Sequence, residues 1–165
     1  MTPAAHLNSL PMPAARTALG RCCGARRWVE AMLAARPFAS DADLLAAAER
    51  VWWGLGRADW LEAFAAHPRI GDRGSGGALT DWARREQAGA DGAARATLAA
   101  LAQGNLTYEE RFGHVFLISA TGKTADEMLG ALRGRLANDP VTELRVAAEE
   151  QAKITRLRLD KLVVS

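Results

Sequence analysis

His67 is the side chain in this sequence best suited to moving a proton. It follows Trp60, Leu61 and Phe64, a short segment with helical apolar spacing, and it precedes Pro68-Arg69-Ile70-Gly71-Asp72. Pro68 disfavours helical geometry in the residue before it, so the spacing predicts a helix that stops near His67. A non-helical backbone beside a glycine loop can aim an imidazole into a cleft, and histidine titrates near neutral pH. The competing reading is a capping or core histidine. Glu86 is the second candidate. At about 100° per residue it shares a helix face with Leu79, Trp82 and Ala83. A carboxylate on an apolar face is costly unless something pairs with it. The competing reading is a glutamate at a helix end, reaching solvent. Gln87 places an amide next to it.

Arg158 is the third. Stepping about 100° per residue along the last helix from Leu144 puts Leu162, Ala148, Leu159, Ala147 and Ile154 on one apolar arc. Arg158 falls inside that arc at about 320°, with Gln151 beside it, while Arg156 and Lys153 fall outside. The expectation is that Arg158 points inward and Arg156 faces solvent. A buried arginine needs an acidic partner or an oxygen-rich ligand. A structural ion pair, with Glu86 for example, is the other way to satisfy it.

Other chemistries fit the sequence less well. The three histidines, His6, His67 and His114, stand far apart, and no HExxH spacing occurs, so no metal site is expected. Cys22 and Cys23 are adjacent, which argues against a disulfide framework and for reduced thiols filling a helix core in a cytoplasmic protein. Ser119-Ala120-Thr121-Gly122-Lys123-Thr124 looks like the tail of a phosphate loop. It lacks the first glycine, since Leu117 and Ile118 stand where that residue belongs.

The elements that must position these side chains are helices. The chain has 165 residues, a length that suits one domain, 1–165, with a real core. Alanine, leucine and arginine are plentiful and β-branched residues sparse, which favours helix. Helices are predicted over Ala14–Cys23 and Arg26–Ala35. A third is capped by Ser40 and buries Leu44, Leu45, Ala48, Val51 and Trp52. After a glycine loop at Gly71–Gly77, further helices are expected around Leu79–Ala83, over Gly92–Gln103 and in the Thr107–Arg111 region. Thr124 with Glu127 forms a capping-box pattern before Met128, Leu129, Leu132 and Leu136, and Pro140 opens the last helix, which runs to about Leu162. Residues 112–120 differ, because Val115-Phe116-Leu117-Ile118 is a continuous apolar run, strand-like or a buried helix end. The fold class expected is all-α, a single-domain helical bundle with one irregular apolar segment near 112–120.

Composition excludes several functions. Net charge is only +2 and the arginines are scattered, unlike the basic stripe of a nucleic-acid binder. No apolar stretch approaches the ~18 residues of a spanning helix, so no membrane role is expected.

Several segments taken together resemble the 2-oxo-4-hydroxy-4-carboxy-5-ureidoimidazoline (OHCU) decarboxylase family. They are Leu61-Glu62-Ala63-Phe64-Ala65-Ala66-His67-Pro68-Arg69-Ile70-Gly71-Asp72, Glu86-Gln87-Ala88-Gly89, and Arg111-Phe112-Gly113-His114-Val115-Phe116-Leu117-Ile118. Arg135-Leu136-Ala137-Asn138, Glu143-Leu144 and Lys153-Ile154-Thr155-Arg156-Leu157-Arg158-Leu159 complete the likeness, which runs from Leu7 to Leu162. The resemblance implies an all-helical, cofactor-free enzyme, a homodimer, acting on a small ureidoimidazoline in urate breakdown. It implies His67 as catalytic acid, with Glu86, Gln87 and Arg158 lining the pocket. Pro68, the turn carrying Ala83, Arg84 and Gln87, and the segment Ile118, Ser119, Ala120, Thr121 and Gly122 would touch substrate, the last partly through backbone groups. Where the family often has Cys-Ala-Arg, this chain has Ser119-Ala120-Thr121. A non-catalytic helical adaptor and a cyclic ureide hydrolase are the alternatives weighed against this function.

Overall fold

Short polar side chains and prolines start most of the helices, as the sequence predicts. A computed structural model describes residues 1–69 and 91–163. Among these residues there are eight α-helices and no strands: α1 (Pro3–Ser9), α2 (Met12–Cys22), α3 (Arg26–Ala35), α4 (Asp41–Trp53), α5 (Arg57–Ala65), α6 (Asp91–Phe112), α7 (Ala125–Arg135) and α8 (Pro140–Asp160). The expected helix around Leu79–Ala83 and the glycine loop at 71–77 lie outside the described residues.

Two capping predictions are met atom for atom. The Ser40 hydroxyl accepts from the Asp43 amide at 3.1 Å. Thr124 and Glu127 form the reciprocal box, with the Glu127 amide donating to Thr124 Oγ1 at 3.1 Å and the Thr124 amide donating to Glu127 Oε1 at 3.2 Å. Each bond satisfies a donor that the first helical turn would otherwise leave open. Two details depart from expectation. Helix α1 was not predicted; it starts at Thr2, whose side chain accepts from the Ala5 amide. The predicted break after Gln103 is absent, and α6 runs unbroken to Phe112. Gly104 is there for close packing, since a Cβ on it would lie 2.4 Å from Leu132 Cδ2. The buried Asn105 stays within the helix, its side-chain Nδ2 donating to the Leu101 carbonyl at 2.8 Å.

The chain divides into two compact units, residues 1–66 with 148–165, and residues 67–147. The first is built on α1 to α5 and the end of α8. Its core includes Leu7, Leu19, Trp28, Met32, Leu44, Trp52, Phe64 and Leu159. Its tryptophans meet the demand that a buried indole N–H find an acceptor: Trp28 donates to the Ala48 carbonyl and Trp52 to the Ala148 carbonyl. Side chains also tie helix ends together here. Asp41 accepts from the Ala4 amide, Glu62 accepts from the Arg26 amide at 2.7 Å, and Arg36 donates to the Leu7 and Leu10 carbonyls.

The second unit packs α6 on α7 around Leu101, Tyr108, Phe112, Phe116, Ile118, Met128, Leu129 and Leu132. Helix α6 ends at Gly113, whose φ of +77° and amide bond to the Glu109 carbonyl make the left-handed stop that glycine favours. The apolar run that follows is neither strand nor helix. Residues 115–120 are irregular, and Val115 through Ser119 are buried.

Candidate active site

The end of α5 delivers His67. Ala66 caps the helix, its amide donating to the Ala63 carbonyl at 3.2 Å, and His67 leaves helical geometry before Pro68. The chain is crowded on the approach to this point. A Cβ on Gly24 would lie 2.6 Å from Ala66 Cβ, so only glycine lets the link between α2 and α3 pass so close. Beyond His67, Arg69 pairs with Glu109 of α6 at 2.9 Å. The pair is solvent-exposed and contributes about 1 kcal/mol or less, but it ties down the chain two residues after the imidazole. His67 is half-buried, while Pro68 is exposed.

Ile118 to Gly122 form the other described piece of the expected pocket, in the same unit as His67. Ile118 and Ser119 are buried, Ala120 is half-buried, and Thr121 and Gly122 are exposed. The segment closes in a tight turn, with the Lys123 amide donating to the Ala120 carbonyl at 3.0 Å. Gly122 sits third in that turn with φ +78°, the conformation a type II turn needs there. Lys123 Nζ donates to the Ser119 carbonyl at 2.9 Å. The glycine that looked like part of a phosphate loop is a turn residue.

Arg158 corrects the helix-wheel expectation. Neighbours on the same arc are buried, among them Ala147, Ala148, Gln151, Thr155 and Leu159. Arg158 itself is exposed, as is Arg156. The phase was right and the burial was not, because Arg158 lies in the last turn of α8, two residues from its end at Asp160. Its Nη1 donates to the Arg21 carbonyl at 3.1 Å, at the C-terminal end of α2. A cation there also suits the negative pole of that helix. Arg158 belongs to the unit of residues 1–66 and 148–165. Glu86, Gln87, Ala83 and Arg84 lie outside the described residues.

The adjacent thiols are not nucleophiles. Both are free and buried. Burial pushes Cys22 up to about 12 and Cys23 up to about 11, against a smaller opposing pull from the Arg158 charge. At neutral pH both are protonated. Among the described residues, no three His, Cys, Asp or Glu side chains gather as metal ligands.

One cluster escaped the sequence reading as a site. Glu143 is fully buried, and its Oε2 accepts from Arg135 Nε at 2.8 Å, from Arg135 Nη2 at 2.6 Å and from the Tyr108 hydroxyl. Its Oε1 accepts from Asn138 Nδ2 at 3.0 Å. Burial, then the bond to Glu143, pushes the Tyr108 phenol well above its ordinary value. The signal was present: Arg135 continues the Met128, Leu132 stripe of α7 at helical spacing, and a cation on an apolar stripe needs a partner.

Comparison with known proteins agrees along the chain. Residues 8–160 match the family model described as OHCU decarboxylase. The bifunctional uric acid degradation protein TTL of Arabidopsis thaliana is 42% identical over 146 residues, covering 86% of this chain and 45% of that protein. This chain therefore spans less than half the length of that relative. The OHCU decarboxylase of Haloferax volcanii is 33% identical, covering 80% of this chain and 79% of its own. A crystal structure of OHCU decarboxylase in the presence of (S)-allantoin superposes with a TM-score of 0.76 at 36% identity, covering 88% of this chain and 96% of that one. With the helices, the His67-Pro68 exit from α5 and the irregular 115–120 segment all in place, this chain belongs to the OHCU decarboxylase family.

Proposed function

We propose that this chain removes CO2 from 2-oxo-4-hydroxy-4-carboxy-5-ureidoimidazoline and leaves (S)-allantoin, as a step of uric acid degradation. The observation that carries the reading is the match over residues 8–160, which crosses both compact units and supports one functional domain, 1–165. The carbon that loses CO2 bears a hydroxyl and adjoins the ring C=N. The electron pair of the broken bond moves into that C=N, so the substrate carries its own electron sink and needs no cofactor. A proton must then enter one face of the carbon bearing the ureido group, while the hydroxyl becomes a carbonyl.

His67 is the group we assign to that proton, held at the end of α5 and half-buried. Glu86 and Gln87 hold the ureido and hydroxyl groups. Arg158, anchored on the Arg21 carbonyl, meets a ring or ureido oxygen. Pro68, Ala83, Arg84 and the backbone of Ile118–Gly122 complete the pocket. A tight clamp on the departing carboxylate would stabilise the ground state and slow the reaction, so the binding groups are better spent on the ring and its substituents. A homodimer in the cytoplasm is the setting we assign. Two free, neighbouring thiols accord with a reducing compartment, and among the described residues no helix is long and apolar enough to cross a membrane.

The test is to supply freshly generated substrate and follow both CO2 release and the handedness of the allantoin. Ring opening without CO2 would mark a cyclic ureide hydrolase instead.

A further inference from the structure

The segment that carries Ile118–Gly122 is buried at its start yet has no regular secondary structure. Two cations hold its carbonyls. Arg135 Nη1, from the end of α7, donates to the Leu117 carbonyl at 2.7 Å. Lys123 Nζ donates to the Ser119 carbonyl at 2.9 Å. These two carbonyls flank Ile118, so the backbone is pinned on either side of the first residue expected to meet substrate.

The Arg135 guanidinium is fixed in turn. Its Nε and Nη2 fork onto Glu143, its Nη2 also reaches the Tyr108 hydroxyl at 3.5 Å, and its Cζ lies over the Phe116 ring, 4.6 Å from the ring centre. Phe116 belongs to the same irregular segment. Stability alone is a weak reason for such a hub, because a buried ion pair often gains nothing over apolar side chains of the same volume. Rigid aim is a better one, since a planar fork with several partners has one orientation.

We propose that Arg135 is a positioning residue for the decarboxylation: through the Leu117 carbonyl, and with Lys123 at the Ser119 carbonyl, it sets the Ile118–Gly122 backbone against the substrate. The proposal rests on the reading that this segment touches substrate. Lysine cannot replace Arg135, because one ammonium cannot fork onto Glu143, stack on Phe116 and reach Leu117 at once.

The test compares Arg135→Lys and Lys123→Met with the wild-type enzyme, using freshly generated substrate and folded protein confirmed by circular dichroism. Both variants should raise KM by about tenfold or more, as a displaced positioning group does, and both should lower the excess of (S)-allantoin. A merely structural role would reduce the amount of folded enzyme, and so the apparent kcat, while KM and product handedness stayed put. If Arg135→Lys does not fold, Lys123→Met decides alone, since Lys123 lies outside the buried hub. Wild-type KM and handedness in the folded variants overturn the proposal. Gly122→Ala separates the two ways to fail, because it strains the turn directly at a φ of +78°. If only Gly122→Ala moves KM and handedness, the segment touches substrate and Arg135 does not position it. If none of the three does, the substrate-contact reading falls as well.

Discussion

His67→Asn keeps a hydrogen-bonding side chain at the end of α5 and removes the titratable proton. Turnover should fall by about 10²-fold or more, the scale of general acid–base catalysis. The urea midpoint should stay near wild type, because the imidazole is only half-buried. Unchanged turnover together with unchanged product handedness would remove His67 from the mechanism. Arg158 and Arg156 offer a cleaner contrast, as both are exposed and sit two residues apart on α8. Arg158→Ala should abolish most activity and Arg156→Ala should not, with steady-state rates as the readout. The opposite order would show that the wrong arginine faces the pocket. His67 and its helix stop were legible because proline dictates local backbone geometry. The exposure of Arg158 was not, because a helical wheel gives phase and says nothing of where the neighbouring surface ends.

Elements were legible wherever the signal is local. Ser40, Thr124 with Glu127, and Pro140 all start helices, and each does so through side chains within one turn of the cap. The break predicted near Gln103 failed because its cause is tertiary. Gly104 makes room for the fully buried Leu132. An alanine in an exposed helix site is worth about 1 kcal/mol over glycine, yet here its Cβ would collide with the fully buried Leu132 side chain. Gly104→Ala should therefore destabilise the fold by about 1–3 kcal/mol, the usual cost of overpacking, read from denaturant unfolding. A gain in stability would mean that Leu132 can move aside. The adjacent thiols at the end of α2 make a pH prediction. The native state keeps both protons up to about pH 11 for Cys23 and about 12 for Cys22, whereas their ordinary value is 9.0. Below pH 9.0 neither thiol affects the balance. Above it the unfolded chain loses protons that the folded one retains, so stability falls as pH rises. Urea midpoints should drop more steeply between pH 9 and 11 in the wild type than in a Cys22→Ala, Cys23→Ala double variant, and parallel curves would contradict the assignment.

At the scale of the whole molecule, the family likeness runs across both compact units, from residue 8 to residue 160. The stretches that carry the family likeness fall where the structure puts its constraints: the α5 exit at His67, the Arg135–Glu143 pair and the end of α8. What the chain is asked to supply is modest. A carbon that loses CO2 next to a C=N already has a place for its electrons, so the protein must orient the ring and deliver one proton to one face. A Lewis acid would add little, because the sink is conjugated with the breaking bond and needs only protonation as charge arrives. Activity should then survive prolonged dialysis against a strong chelator. The check follows CO2 release and allantoin handedness before and after dialysis, with zinc and manganese added back separately. Equal rates and equal handedness are expected in every arm. Loss of CO2 release on chelation, restored by either metal, would mean that the enzyme and not the substrate provides the electron sink, and the proton-donor role given to His67 would have to be rebuilt around that ion.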